Sequence, residues 1–387
     1  MKKENIFLAI ILLVVITGCG GGKQSTEDFI TVDVTKGYPE KELILQDIMD
    51  VEYIALESTD EFLCQGLVLD VGKEIILVRN QTRDGNIFIF ARNGKGLRKI
   101  NRMGQGPEEY TSIFWFTLDE ANNEMFIDDM KRILVYDLYG KFLRSFPKDN
   151  ITDFSLLQNF DREHFICRRN TSQINEESTE SQPFAIISKK DGSMVKDIRI
   201  RFEKGIDPVV KPVFNPNMAI NVYQNFSSII PFRDSWILTE IASDTIFRLL
   251  PDLKMTHFMT RIPPVRTMNP EVFLFPIILT EQYCFLETLR KEAEQRPGFF
   301  QKNKLAYDRQ EKTIYRYTLL NGDYTTKKTL DFYAMSKNSE IAFWQKIEAH
   351  ELIDANKKGE LKGKLKEVVA SLDNDPNPVI MLVTYKK

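Results

Sequence analysis

Histidine is scarce in this sequence: 387 residues hold three, His164, His257 and His350, far apart and without a second ligand at metal spacing. A zinc centre or a serine–histidine dyad needs imidazoles close to partner groups, so neither is expected. Cysteine is also sparse. Apart from Cys19, the chain has Cys64, Cys167 and Cys284, widely separated and odd in number, which implies no disulfide framework and reads as small buried hydrophobes. Charge of one sign is lacking as well. A net charge of −3 with no basic tail removes the electrostatic footprint of a nucleic-acid binder. No apolar run reaches the roughly 20 residues that span a bilayer.

The longest apolar run, Ile6 to Gly18, follows Lys2 and Lys3. A short apolar stretch behind a positive start reads as a signal-peptide core. It ends in Ile16-Thr17-Gly18-Cys19, which resembles the lipobox of bacterial lipoproteins. That resemblance implies cleavage before Cys19 and lipidation of its thiol. The expected organisation is a signal peptide over 1–18, a lipidated tether over 19–28 containing Gly20-Gly21-Gly22, and a folded domain over 29–387. The expected address is the cell envelope, as an outer-membrane lipoprotein held by its lipid alone, with the membrane face left open.

The composition that is present suits a folded β protein: 43% apolar, 28% charged, and 11% aromatic with 27 Phe. A repeat then appears. Ile87 to Ile100 (IFIFARNGKGLRKI) aligns with Ile133 to Phe146 (ILVYDLYGKFLRSF), each with a glycine at its turn, Gly94 and Gly140. Alternating runs joined by such a turn are hairpins. Ala185 to Ile198 repeats the pattern with Gly192, Asp244 to Phe258 repeats it without the glycine, and Thr313 to Leu330 places Asn321-Gly322 at its turn. Further strands precede the hairpins at Glu74–Val78, Phe116–Leu118, Glu124–Ile127 and Trp236–Glu240. Four strands every 40 to 50 residues or so is the period of a propeller blade. The expected fold is all-β, a six-bladed β-propeller with four-stranded antiparallel blades. Strands at Phe29–Val34, Val51–Leu56 and Pro378–Tyr385 are expected to close the ring from both chain ends. Helical spacing over Ser339–Leu372 predicts a helical insert before the C-terminal strand, and Asn269–Arg290 is a second helical candidate.

The run Asn101-Arg102-Met103-Gly104-Gln105-Gly106-Pro107-Glu108-Glu109-Tyr110 resembles the G-x-G-P-x-E-[YF] signature of a family of bacterial six-bladed, NHL/TolB-like propeller lipoproteins. Hairpins such as ILVYDLYGKFLRSF, the stretch Ser243–Arg248 and the closing Asn377–Met381 are similar to the same family. The resemblance implies a propeller in the cell envelope and leaves the activity open. The glycines themselves do not make a phosphate loop. Neither G-x-G-x-x-G nor G-x-x-x-x-G-K-[ST] is complete, and Pro107 removes an N–H that such a cradle uses. A loop between blades is the better reading. Propellers usually bind ligands at such a mouth, so Arg102, Gln105, Glu109 and Tyr110 are the candidate ligand residues.

The expected function is non-catalytic binding of a glycan, a peptide or an envelope protein at the loop face, by a monomer without cofactor. Asp128-Asp129 are candidates for a Ca²⁺ site, although adjacent aspartates also cap turns. The alternatives are a Ca²⁺-dependent hydrolase or lyase using channel carboxylates, and a scaffold that docks through its helical insert. An enzyme predicts carboxylates clustered at the channel, a binding module predicts aromatics among hydrogen-bonding side chains, and a scaffold predicts an exposed apolar stripe on the insert.

Overall fold

The computed structural model describes residues 29–81, 83–147, 154–169, 180–210, 220–222, 226–293, 300–332, 334–335, 337–372 and 376–386. The expected signal peptide and tether, with Cys19, lie outside the described residues.

Five hairpins share a left-handed residue late in the turn. In each, the last turn residue has a positive φ: Gly94 at 86°, Gly140 at 83°, Gly192 at 74°, Leu253 at 64° and Lys312 at 51°. Glycine adopts this conformation without strain, which explains the sequence repeat. The fourth hairpin lacks the glycine but keeps the geometry, with Leu253 in its place. The first four also carry a register shift, at Ile89/Phe90, Val135/Tyr136, Ile186/Ile187 and Ile246/Phe247. Such bulges increase the twist that a blade needs. The fifth hairpin is Phe300–Asp308 with Thr313–Asn321, one strand upstream of the expectation. Asn321-Gly322 instead lead into Lys328–Leu330, which folds back on Thr313–Asn321.

Each hairpin supplies the two outer strands of a four-stranded antiparallel blade, and a sixth four-stranded blade takes its outer strands from the two chain ends. Blade 1 is Leu67–Val71, Ile75–Arg79, Asn86–Ala91 and Gly96–Asn101; blade 2 is Trp115–Asp119, Glu124–Asp128, Arg132–Asp137 and Phe142–Pro147. Blades 3, 4 and 5 begin at Phe154, Ile229 and Val272. The first strands of neighbouring blades touch, so they line the centre. A separate apolar cluster fills each seam between blades. Ile75 and Leu77 face the blade 1–2 seam, while Ile76 and Val78 face the blade 6–1 seam. Both faces of a blade are therefore dry, which is why the middle strands are unbroken apolar runs.

Blade 6 joins the chain ends. It consists of Ala334–Met335, Ile341–Ile347, Val379–Tyr385 and, outermost, β3 (Met49–Ala55), which pairs antiparallel with Val379–Tyr385. On the way to β3, β1 (Ile30–Asp33) lies parallel on the outer strand of blade 4, and β2 (Glu40–Ile44) does the same on blade 5. The N-terminal segment is thus a belt over three consecutive blades, covering two edges that would otherwise offer open hydrogen bonds. Asn377 fastens the seam to blade 1. Its amide donates to the carbonyls of Glu57 and Phe62, and its oxygen accepts the Cys64 N–H, all at 2.8 Å.

Two helical expectations are corrected. Ile341–Ile347 is a strand, and within Ser339–Leu372 the helices are α1 (Ala349–Lys357) and α2 (Gly363–Ala370). The stretch Asn269–Arg290 holds strands Val272–Leu279 and Tyr283–Ala293. Burial on both faces erases the alternation of a strand, so its apolar run imitates a buried helix. Leu352, Leu361, Leu365 and Val369 of the insert pack into the core cluster that contains Met49, Val379 and Met381. The apolar side of the helices therefore faces inward and covers the ring closure. No helix among the described residues is long and apolar enough to cross a membrane.

Candidate functional site

The connections between blades emerge on one face, together with the turns between the second and third strands of each blade. The glycine loop lies there, between Gly96–Asn101 of blade 1 and Trp115–Asp119 of blade 2. Neither Gly104 nor Gly106 lies in the left-handed region. What the loop needs from them is space: a Cβ on Gly104 would stand 1.9 Å from the Glu109 carboxylate, and one on Gly106 3.1 Å from it. That carboxylate turns into the loop and accepts the Gly106 N–H at 2.8 Å.

The neighbouring blade grips the loop from outside. The Arg132 guanidinium donates to the carbonyls of Pro107, Gly106 and Glu109 at 2.7, 3.0 and 2.8 Å. The Tyr136 hydroxyl donates to the Glu108 carbonyl at 2.7 Å. Tyr110 is fully buried, edge-on to Tyr136. Its hydroxyl donates to the Gly85 carbonyl at 2.6 Å and accepts the Arg102 N–H at 3.0 Å. Burial pushes its pKa up to about 12. Arg102 in turn donates through Nε to the Gly140 carbonyl at 2.9 Å. Of the four residues singled out from sequence, Arg102, Glu109 and Tyr110 thus act as internal ties, and Gln105 is exposed.

Asp128 and Asp129 lie in the adjoining turn and are buried. Asp128 Oδ1 accepts the Met130 N–H, and Asp129 Oδ1 accepts the N–H groups of Lys131 and Arg132. These aspartates shape the turn. They hold Met130 at a φ of 75°, a left-handed conformation that an L side chain rarely adopts and that is often found at functional sites. Among the described residues, no three His, Cys, Asp or Glu gather as metal ligands.

Between this turn, the glycine loop and the edge of blade 1 opens a cleft of about 420 Å³, lined by Met103, Phe114 and Met130 together with Arg79, Asn80 and Arg83. Met130 is 62% exposed, Phe114 55%, Trp115 44% and Met103 42%. Trp115 meets Phe114 edge to face, with ring centroids 6.2 Å apart. Arg79 is anchored on the Ile113 carbonyl at 3.0 Å, Asn80 donates to Asp84 at 2.7 Å, and Arg83 is exposed. An apolar floor ringed by hydrogen-bonding groups is the make-up of a binding site. The residues singled out from the sequence did not include Met103, Phe114 or Met130. The signal was available in Phe114-Trp115, two large aromatics where the glycine loop enters an innermost strand.

A larger cleft of about 670 Å³ lies on the same face, at the blade 6–1 seam, with Leu63, Cys64, Gln65, Lys346 and His350 in its wall. Lys346 there pairs with Glu348 at 2.5 Å. Burial pushes the Cys64 thiol up to about 11, so at neutral pH it is not a thiolate nucleophile. Cys167 and Cys284 are also free and buried.

A protein-family model described as a 6-bladed beta-propeller, DUF5128, matches residues 22–288. The chain belongs to this family. Among solved structures, the chain is similar to a protein of Bacteroides fragilis described as exported: TM-score 0.60 at 14% identity, covering 93% of this chain and 100% of that one. That likeness shows the fold alone. Virginiamycin B lyase of Staphylococcus aureus matches with a TM-score of 0.33 at 11% identity, covering 76% of this chain and 93% of the lyase. The Pan2 WD40 domain of Neurospora crassa matches at 0.33 and 9%, covering 69% and 74%. These two similarities are too low to carry a functional argument. No curated protein matches the chain.

Proposed function

We propose that this propeller is a cell-envelope lipoprotein of the outer membrane, lipidated at Cys19, that holds a peptide segment of a partner protein in the Met103–Phe114–Met130 cleft without catalysis. The observation that carries the reading is the gathering of three exposed apolar side chains, Met103, Phe114 and Met130, in one cleft rimmed by Arg79 and Arg83, with the exposed Trp115 against Phe114 beside it. Tryptophan, phenylalanine, methionine and arginine are the residues enriched where polypeptides bind, and methionine adapts its shape to varied side chains. The rigid ties of Arg132 and Tyr136 beneath the cleft lower the entropy lost on binding. The lipobox-like Ile16–Cys19 supports the envelope address. The inward packing of α1 and α2 speaks against a scaffold that docks through them.

The test is selection of displayed peptides against the mature protein, followed by titration calorimetry. A peptide that binds wild type and loses at least tenfold affinity with Phe114→Ser and with Met130→Ser supports the reading. Peptides that bind these variants equally well, or a glycan panel that alone raises the unfolding temperature, would overturn it in favour of another surface or a sugar ligand.

A further inference from the structure

We infer that the two clefts of the loop face are one groove, and that its occupant is an extended polypeptide segment carrying a carboxylate beside its apolar anchor. The inference rests on the peptide-binding reading above and adds to it the second cleft and the chemistry of the partner. The clefts share a wall. Asn80 lines the smaller one, and Gln65 and Gln81 line the larger. Asn80 Oδ1 accepts the Gln65 N–H at 2.9 Å, and Gln65 Oε1 accepts the Gln81 N–H at 2.5 Å. A single ridge of amide side chains therefore separates the two. Both glutamines are exposed. Among the described residues, Gln65 Nε2 and the Gln81 side chain make no hydrogen bond, which leaves donors and an acceptor for the main chain of a segment that crosses. The groove follows the connections between second and third strands in three consecutive blades: α1 of blade 6, which begins with Ala349 and His350, the connection over 80–85 of blade 1, and the turn at Met130 of blade 2.

Each half of the groove offers exposed apolar surface. In the larger cleft this is Leu63, 58% exposed. Its neighbours on both sides are tied by Asn377, which binds the Phe62 carbonyl and the Cys64 N–H. Leu63 is thus presented on a fixed main chain, which lowers the entropy lost on binding. Charge sets the chemistry of the partner. The Asp84 carboxylate is taken up within its own loop by the Asn80 and Asn86 amides at 2.7 and 2.8 Å and by the Asn86 N–H at 3.0 Å. Lys346 is matched by Glu348. Arg83 is exposed and has no partner among the described residues, and Arg79 spends one nitrogen on the Ile113 carbonyl. The charge left for a ligand is therefore positive, and it sits beside the Phe114–Met130 floor. A carboxylate is the group that a free guanidinium binds with two parallel hydrogen bonds.

The test selects displayed random segments of about 16 residues, which reach about 50 Å when extended, on the mature protein. Binders are then measured by titration calorimetry against Phe114→Ser, Arg83→Gln, Leu63→Ser and, as an independent change in the larger cleft, His350→Ala. The altered side chains in the larger cleft are exposed, and unfolding temperatures confirm that each variant is folded. Binders rich in Asp and Glu are expected. Their affinity should fall at least fivefold with Leu63→Ser and about three- to fivefold with Arg83→Gln. Loss with Phe114→Ser but none with Leu63→Ser or His350→Ala overturns the joined groove and leaves the smaller cleft as the peptide site. Binders without acidic residues, or indifferent to Arg83→Gln, overturn the carboxylate. Binding that ignores all four variants, or a selection that returns no binder, defeats the peptide-binding reading and the groove with it.

Discussion

Arg132 binds Glu109 at its main-chain carbonyl, 2.8 Å away, while the Glu109 carboxylate points inward and accepts the Gly106 N–H, also at 2.8 Å. A basic and an acidic residue in contact are therefore not an ion pair here. Each satisfies main-chain groups of the same loop, one from outside and one from within. The family signature around Gly104–Tyr110 is in this sense a folding motif, and the binding surface is what the motif supports.

Replacement of Arg132 by Ala removes three charge-assisted bonds to carbonyls at once. Such bonds contribute about 1.5–3 kcal/mol each when buried, less at a partly exposed side chain, and the expected loss is about 2–3 kcal/mol in a urea melt. Arg132→Lys should lose nearly as much, because an ammonium cannot reproduce the fork. Binding of a selected peptide should weaken in both. Unchanged stability in Arg132→Ala would show that the loop holds itself.

Two glycines should respond very differently to alanine. At Gly104, the new Cβ meets the end of the flexible Glu109 side chain, which can swing out at the cost of one hydrogen bond, about 1 kcal/mol. At Gly94, the Cβ would stand 2.0 Å from the Ala55 carbonyl, and φ is 86°. There the main chain of β3 must move, and the outer strand of the closing blade moves with it. A loss of about 3 kcal/mol or more is expected for Gly94→Ala, in the range of strongly destabilising substitutions. Similar melts for the two variants would contradict the close approach at Ala55.

The fourth and fifth hairpins carry the converse prediction. Leu253 and Lys312 occupy the left-handed position that glycine fills in the first three, at about 1–2 kcal/mol each for an L residue. Part of this returns through the greater freedom of glycine in the unfolded chain. Lys312→Gly should stabilise by about 0.5–1 kcal/mol, and Leu253→Gly by less, since Leu253 also packs on the blade 3–4 cluster. Calorimetric unfolding temperatures compare them directly, and a destabilised Lys312→Gly would count against strain at this position.

The hairpins were legible because their turn imposes a residue type: Gly94, Gly140 and Gly192 recur where φ must be positive. Ring closure was legible in the apolar strand at Val379–Tyr385. Ile341–Ile347 and Val272–Leu279 were misread as helical because strands buried on both faces lose their alternation. The belt was only half visible. Nothing in Ile30–Asp33 states that it pairs parallel with residues more than two hundred positions away. The site was harder still, since polar residues around two glycines attract attention, while Met103 and Met130 gain meaning only when two loops of different blades are brought side by side.

Acid should loosen the belt at β2 first. Lys41 of β2 sits over the Tyr315 ring at 4.4 Å and reaches the Asp308 carboxylate at 3.3 Å. Burial pushes the Asp308 pKa up, but the N–H groups of Glu311 and Gln310 and the Lys41 ammonium outweigh it, and the net shift is below the usual 3.8. A carboxyl whose folded pKa is depressed stabilises the fold above its unfolded pKa. That contribution is lost as pH falls below 3.8 and through the folded value. Wild type should therefore lose stability more steeply than Asp308→Asn as pH falls below about 4. Hydrogen exchange should locate the change, with the amides of Glu40–Ile44 losing protection before those of the first strand of blade 5. Parallel pH profiles for wild type and Asp308→Asn would place the acid-sensitive contact elsewhere on the ring.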